Sequence, residues 1–131
     1  MTPTLPEALA TLSTLLPERI PFARDHVCVV FLHGSKTPVA YHSPRDLDVI
    51  EMALREECEA RGWTWSVDCI TGPRFSAGVL PRPAVWSYNT AGETPALALC
   101  LALTAALTAQ PAPTERELWT ESKFDVTGAE Q

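Results

Sequence analysis

The stretch Phe31–Asp48, FLHGSKTPVAYHSPRDLD, decides how this chain is interpreted. If Ser43-Pro44 opens a helix, Asp46 and Asp48 are surface residues of that helix. Residues two apart on a helix point about 200° away from each other, so these two carboxylates cannot share a ligand. If the segment is extended, both carboxylates project to the same side and can hold one metal ion. The local structure therefore separates a binding protein from an enzyme.

The residues around the two aspartates favour a helix. Ser43 is a preferred N-cap residue, Pro44 suits the first helical position, and Asp46 stands three residues after the cap, like the acid of a capping box. Gly62 is placed to end the helix in the left-handed conformation. One apolar stripe with helical spacing is formed by Leu47, Ile50, Leu54 and Cys58. We therefore predict a helix over Ser43–Arg61.

Further elements follow on both sides of this helix. Thr94-Pro95 repeats the cap and proline and predicts a second helix at Ala96–Ala109, apolar enough to be buried around most of its circumference. A third helix is predicted at Leu5–Leu16 from its leucine spacing. Strands are predicted at Val27–Leu32, Trp63–Ile70, Arg74–Leu80 and Ala84–Tyr88, and Gly34–Tyr41 is predicted to be a loop.

Together these elements predict an α/β domain of the α+β type over residues 1–110. A small antiparallel sheet of three to five strands lies between helices in this arrangement, with an added N-terminal helix and strand. Residues 111–131 are a C-terminal tail. Its capping box, Thr114-x-x-Glu117, predicts a short helical turn.

Composition narrows the function further. The net charge is −6, and the ten basic residues are scattered, which argues against nucleic acid as a partner. No apolar run approaches the ~20 residues that cross a bilayer, and no basic segment precedes an apolar one at the N-terminus. We therefore expect no membrane association and a cytoplasmic location. The cysteines, which show no Cys-x-x-Cys motif, are predicted to be reduced and packed as small apolar residues; they are Cys28, Cys58, Cys69 and Cys100.

Residues 27–70 resemble a minimal nucleotidyltransferase. A strand is followed by Gly-Ser, a loop, and then Asp-x-Asp, although the second glycine usual after Gly-Ser is missing. The resemblance implies Mg²⁺ and a nucleoside triphosphate as cofactors, whereas the favoured interpretation of the chain has none. The residues implied are Gly34 and Ser35 against the triphosphate, Asp46 and Asp48 as metal ligands, and Asp68 as the third acid.

Residues 41–109 carry a second pattern. Tyr41-x-Ser43 precedes a long helix that ends in Arg-Gly-Trp, and Thr94-Pro95 leads into Ala-Leu-Ala-Leu-Cys-Leu-Ala-Leu. The tryptophans between these points are Trp63, Trp65 and Trp86. This pattern resembles the small bacteriophage and prophage proteins grouped as the phage ABA sandwich domain. The resemblance implies an antiparallel sheet between helices and a phage or prophage source, and it implies no established activity.

The favoured function is that of a small non-enzymatic phage- or prophage-type accessory protein, located in the host cytoplasm if phage-encoded. We expect it to act by binding a protein, namely a host or defence protein. A further alternative is a self-assembling structural phage component that forms homo-oligomers. The candidate contacts are the apolar anchors and acids of the tail: Leu118, Trp119, Phe124, Glu115, Glu117 and Glu121. An aromatic group that we expect to fill the core comprises Trp63, Trp65, Trp86 and Tyr88.

Overall fold

Each of the three helices begins at a hydroxyl N-cap with a proline in its first turn. The computed structural model describes residues 3–72, 74–82 and 84–109. Its helices are α1 (Leu5–Leu15), α2 (Pro44–Ala60) and α3 (Pro95–Thr108). The hydroxyls of Thr4, Ser43 and Thr94 each accept a hydrogen bond from the backbone N–H three residues on. The prolines are tolerated because first-turn N–H groups have no partner within the helix. The three predicted helices are confirmed.

The end of α2 is a Schellman motif at Gly62, which has a φ of 73°. Gly62 N–H donates to the Glu59 carbonyl at 3.0 Å, and Trp63 N–H donates to the Cys58 carbonyl at 2.8 Å. These two bonds satisfy carbonyls that the last helical turn leaves free. The predicted role of Gly62 is confirmed, and the chain leaves the helix directly into a strand.

The described residues form two separate three-stranded sheets, and every neighbouring pair of strands in them is antiparallel. The first sheet has the order β1-β2-β3, and the second has the order β4-β5-β6. Their strands are β1 (Phe22–Ala23), β2 (Val27–Leu32), β3 (Ser35–Ala40), β4 (Thr64–Thr71), β5 (Arg74–Leu80) and β6 (Tyr88–Gly92). The α+β class and the antiparallel pairing are thus confirmed, with the strands divided between two sheets.

The predicted loop at Gly34–Tyr41 is wrong, because most of it is strand β3. His33 and Gly34 have φ values of 53° and 79°, and Leu32 pairs with Ser35 on either side of them. Positive φ at both central residues is typical of the tight turn that joins two antiparallel strands. His33-Gly34 therefore closes a hairpin, and the Gly-Ser pair marks a turn and a strand start.

The last strand begins later than predicted. Tyr88, which was expected to end a strand, begins β6, and residues 84–87 are outside any strand. β6 runs close to α3: Thr90 Oγ1 donates to the Ala98 carbonyl at 2.6 Å. A Cβ atom placed on Gly92 would lie 2.9 Å from the Ala98 backbone nitrogen, so this contact requires glycine.

Helix α3 occupies the centre of the molecule. It contacts the second sheet, α1 and α2, and seven of its residues are buried. Its alanines let neighbouring elements approach closely, and the predicted burial around the helix is confirmed. No helix in the described ranges combines the length and the apolar character needed to cross a membrane.

All four cysteines are free thiols. Three are buried, as predicted, and they are Cys28, Cys58 and Cys100. Cys69 is exposed near the end of β4, so the prediction that it packs in the core is wrong. The tail at 111–131, with its predicted helical turn, lies outside the described residues.

Candidate functional site

Asp46 lies in the first turn of α2, and its carboxylate has a structural partner. Its Oδ2 accepts a hydrogen bond from the Ala40 backbone N–H at 2.8 Å, which joins α2 to the end of β3. Ser43 Oγ accepts a hydrogen bond from the Asp46 N–H at 3.4 Å. The Ser43 N–H, which would bind the acid in a capping box, donates to the Ala40 carbonyl at 3.2 Å instead. The predicted capping box is therefore only half formed, since its acid binds the neighbouring strand.

The geometry required by the nucleotidyltransferase alternative is not met. Asp46 and Asp48 are both helical, and residues two apart on a helix do not project to the same side. Asp68 is exposed on β4 of the second sheet, and Gly34 and Ser35 belong to the β2–β3 hairpin. Within the described ranges, no three His, Cys, Asp or Glu side chains are grouped so that they can hold a metal ion.

An ion-pair cluster joins the first sheet to α2. Arg19 Nη1 lies 2.9 Å from Glu56 Oε1, and Arg19 Nε lies 2.9 Å from Glu57 Oε1. The same guanidinium donates to the Phe31 carbonyl at 2.7 Å, and the His33 N–H donates to Glu56 at 3.0 Å. The hydrogen bond from His33, with help from Arg19, lowers the pKa of Glu56. These groups satisfy one another, so the cluster serves structure.

Two of the four grouped aromatic residues pack as expected. Trp63 and Trp65 are half-buried against the core, with the guanidinium carbons of Arg61 and Arg55 lying 5.0 and 4.4 Å from their ring centres. Trp65 Nε1 also donates to Glu59 Oε2 at 3.1 Å. Tyr88 is half-buried as well. Trp86 is 44% exposed, so the expectation that it fills the core is wrong.

A groove of about 720 Å³ opens where the N-terminal parts of the three helices meet. The helices contribute residues of their first turns, and the β4–β5 hairpin and the end of β6 form the remaining wall. The larger apolar side chains along it are Leu5, Tyr41, Leu47 and Leu97, and its charged side chains are Arg74 and Glu93. A mainly apolar concavity with a few polar groups is the usual form of a ligand site.

The polar groups of the groove have distinct roles. Arg74 and Glu93 are both exposed; Arg74 begins β5, and Glu93 directly follows β6 beside it. Arg74 takes part in none of the ion pairs formed within the described part of the chain. Burial raises the pKa of Tyr41 far above its usual range, and it raises the pKa of the neighbouring Cys28 thiol to about 11. Tyr41 and Cys28 therefore both stay protonated near neutral pH, and Tyr41 gives the groove an uncharged wall. The cationic side chain of the groove is Arg74.

Sequence reasoning did not identify this groove. Its residues come from four distant parts of the chain: the start of α1, the Tyr41–Leu47 segment, the β4–β5 turn and the β6–α3 junction. No local spacing reports that these parts meet. The one shared signal is the hydroxyl cap with proline at each helix start, which marks the ends that converge here.

No protein-family model, no curated protein and no solved structure matches the chain. The tail residues proposed as contacts lie outside the described residues; they are Leu118, Trp119, Phe124, Glu115, Glu117 and Glu121. Within the described residues, the groove is a concavity with mainly apolar walls and two charged side chains.

Proposed function

We propose that this chain is a small non-enzymatic binding protein that holds a short segment of a protein partner in the groove. The observation that carries the proposal is the groove itself, with a volume of about 720 Å³ and mainly apolar walls. Binding sites typically measure roughly 300–1,000 Å³ and combine apolar walls with a few placed polar groups. The space accommodates more than one apolar side chain.

The charge at the groove indicates the chemistry of the partner segment. The N-terminal ends of the helices contribute partial positive charge. The Arg74 guanidinium, which forms no ion pair within the described residues, can pair with a carboxylate of the partner. The partner segment is therefore apolar, with a carboxylate at the end that reaches Arg74. Glu93 beside Arg74 disfavours a second acid, so the segment carries a single negative group there.

The tail supplies a second proposed contact. Leu118, Trp119 and Phe124 are the kind of anchors that dominate protein interfaces, and Glu115, Glu117 and Glu121 would face a basic surface. The resemblance of residues 41–109 to the phage ABA sandwich domain supports a phage or prophage source, a host or defence protein as the partner, and a cytoplasmic location. These features belong to the same proposal.

Site-specific photo-crosslinking tests the groove directly. A benzoylphenylalanine replaces Glu93 at the groove, and in the control it replaces Asn89, an exposed residue of the preceding strand β6 outside the groove. We expect a partner segment to be crosslinked from position 93 and not from position 89. The crosslinked segment, identified by mass spectrometry, is then made as a purified peptide.

Binding of that peptide is measured by calorimetry to the wild type, Arg74→Glu and Arg82→Glu. Both arginines are exposed, and only Arg74 lines the groove. Reversing the charge at Arg74 should weaken binding by about tenfold or more, and reversing it at Arg82 by less than about twofold. Equal affinities for both variants, or equal crosslinking from both positions, would exclude the groove as the binding site.

Deletion of residues 110–131 separates the tail from the groove. If the tail contributes contacts, the deletion weakens binding of the whole partner and leaves affinity for the groove peptide unchanged. Full retention of partner binding would remove the tail from the proposed interface and leave the groove part of the proposal standing.

A further inference from the structure

Strand β4 forms one edge of the second sheet, and its outer side faces no strand among the described residues. β4 pairs with β5 along Thr64–Thr71, and the sheet order places β4 at the end. Six of its eight residues are exposed, including Ile70 at 50%. An exposed row of unpaired N–H and C=O groups is a template for another strand.

The edges of the first sheet carry protective features that β4 lacks. β3 contains Lys36 and Pro38, and Asp46 occupies the N–H of its last residue, Ala40. β1 is only two residues long. Lysine, proline and short length are the devices by which proteins block edge-to-edge pairing. β4, with the sequence TWSVDCIT, has no lysine, arginine or proline, and Asp68 is its one charged residue.

We propose that β4 pairs antiparallel with β4 of a second copy of this chain, about a two-fold axis at Val67. The two second sheets then join into one continuous sheet across the interface. Val67 faces its own counterpart, and Ser66 of each copy faces Asp68 of the other. In the same register Trp65 lies opposite Cys69, and Thr64 lies opposite Ile70.

The side chains that each register sets opposite one another favour an axis at Val67 over an axis one residue away. Opposite residues must belong to the same face of the sheet, so the axis passes through a residue of β4. An axis at Asp68 would set two carboxylates opposite each other, which is destabilising. An axis at Ser66 would leave Ile70 beyond the paired stretch. With the axis at Val67, the Ser66 hydroxyl of each copy donates to the Asp68 carboxylate of the other. The Thr64 methyl group of each copy likewise covers Ile70 of the other.

The irregularity in the pairing of β4 with β5 supports the same extent of pairing. The register between these strands shifts between Cys69 and Thr71, at the end of the stretch that the second copy would cover. Bulges commonly terminate pairing at the edge of a sheet. The interface is therefore confined to residues 64–70. Pairing of such short edges gives a small contact area, so the dimer should be concentration-dependent.

Disulfide trapping in the full chain tests the register. In a Cys69→Ser background, Val67→Cys brings two thiols face to face at the axis. The control, Asp68→Cys in the same background, places its two copies diagonally, with Cα atoms about 7–8 Å apart, which exceeds disulfide reach. Asp68 is exposed and Val67 is half-buried, so random collisions favour the control. We expect Val67→Cys to form the dimer at least about tenfold faster, because the axis aligns its thiols.

Sedimentation of the full chain tests the association itself. Ser66→Asp sets one carboxylate of each copy against Asp68 of the other, which makes two like-charge pairs and should shift the dimer to monomer, with partial recovery at high salt. Ser87→Asp adds the same charge in an exposed position outside the strands and should leave the dimer intact. A monomer at all concentrations, or faster trapping of Asp68→Cys than of Val67→Cys, would overturn the proposal. A monomer at all concentrations would overturn the proposal even if residues 110–131 are what covers the edge of β4.

Discussion

The two sheets are fixed to the helices by different interactions. The first sheet packs on α2 through buried apolar side chains of β2 and β3, and polar groups add to this packing: the His33 N–H donates to Glu56, and the Ala40 N–H donates to Asp46. The second sheet is attached to α3, a helix whose sequence contains no charged residue, through close apolar contact at Gly92. Both sheets pack on the apolar core, but the first adds charged groups at its helix and the second adds a close backbone approach to its helix.

Because of this difference, we expect the two sheets to respond to different perturbations. Ion pairs and charge-assisted hydrogen bonds depend on protonation and on single donor or acceptor atoms. Close packing is insensitive to pH and responds to added volume. Substitutions in the second sheet should therefore act through sterics, and substitutions around α2 should act through lost partners or changed pH.

The largest effect is expected at Gly92. Gly92→Ala sets a Cβ 2.9 Å from the Ala98 nitrogen and 3.0 Å from Leu97 Cγ, both within the first turn of the buried helix. Overpacking of this kind costs about 1–3 kcal/mol of unfolding free energy. Urea unfolding followed by tryptophan fluorescence measures it.

Gly78→Ala is the matched control, because the nearest atoms that its Cβ would meet belong to side chains, chiefly Asn89 Oδ1. Asn89 is exposed and can rotate away, so we expect a change within about 0.5 kcal/mol. Equal losses for the two variants would show that backbone proximity at α3 is not what holds the second sheet.

An intermediate effect is expected at Asp46. Asp46→Ala leaves the Ala40 N–H without its acceptor and should cost about 1–2 kcal/mol, whereas Asp46→Asn retains an oxygen and should restore part of it. Asp48→Ala, at an exposed position of the same turn, should change stability by less than about 0.5 kcal/mol. Thermal and urea unfolding give these values.

The same variants separate a structural from a catalytic role. Calorimetry with ATP or GTP in the presence of Mg²⁺ should show no binding to the wild type, Asp46→Ala or Asp48→Ala. Magnesium-dependent nucleotide binding by the wild type that disappears in Asp46→Ala would restore the nucleotidyltransferase alternative.

The smallest effect is expected from the acid dependence of Glu56. Its pKa is lower in the folded protein than its ordinary value, so its contribution is present at neutral pH, above the unfolded pKa. The contribution is lost as the pH falls through the lowered folded pKa. Glu56→Gln should therefore be less stable than the wild type at pH 7 and should approach it in acid. A difference that stays constant with pH would contradict the lowered pKa of Glu56 and the hydrogen bond from His33 that chiefly lowers it.

The helices were predictable because their signals are local. Ser43-Pro44, Thr94-Pro95 and Gly62 act on backbone groups within one turn, and the structure uses them as the sequence indicated. The β2–β3 hairpin was not predicted, because its local signal is weak and resembles that of another structure. Gly-Ser after a strand suggested a phosphate loop, and the positive φ of His33, which completes the turn, has only a weak sequence signal.

The division into two sheets was beyond local reasoning. Which strand lies at an edge depends on how all the strands and helices pack together, and no local spacing reports it. Asp46 illustrates the same limit, since its spacing from Ser43 is that of a capping acid but its partner is Ala40 on β3. The groove was invisible for the same reason, because it exists only after the helix ends have converged.

The central position of α3 has a consequence for folding. α3 is the last described element along the chain, yet it contacts α1, the first, and the strands of the second sheet. During synthesis the apolar faces of the earlier elements therefore remain unburied until residues 95–108 have left the ribosome. A fold completed by such distant contacts forms slowly compared with one built from local contacts. We expect the nascent chain to depend on chaperones until this helix is available.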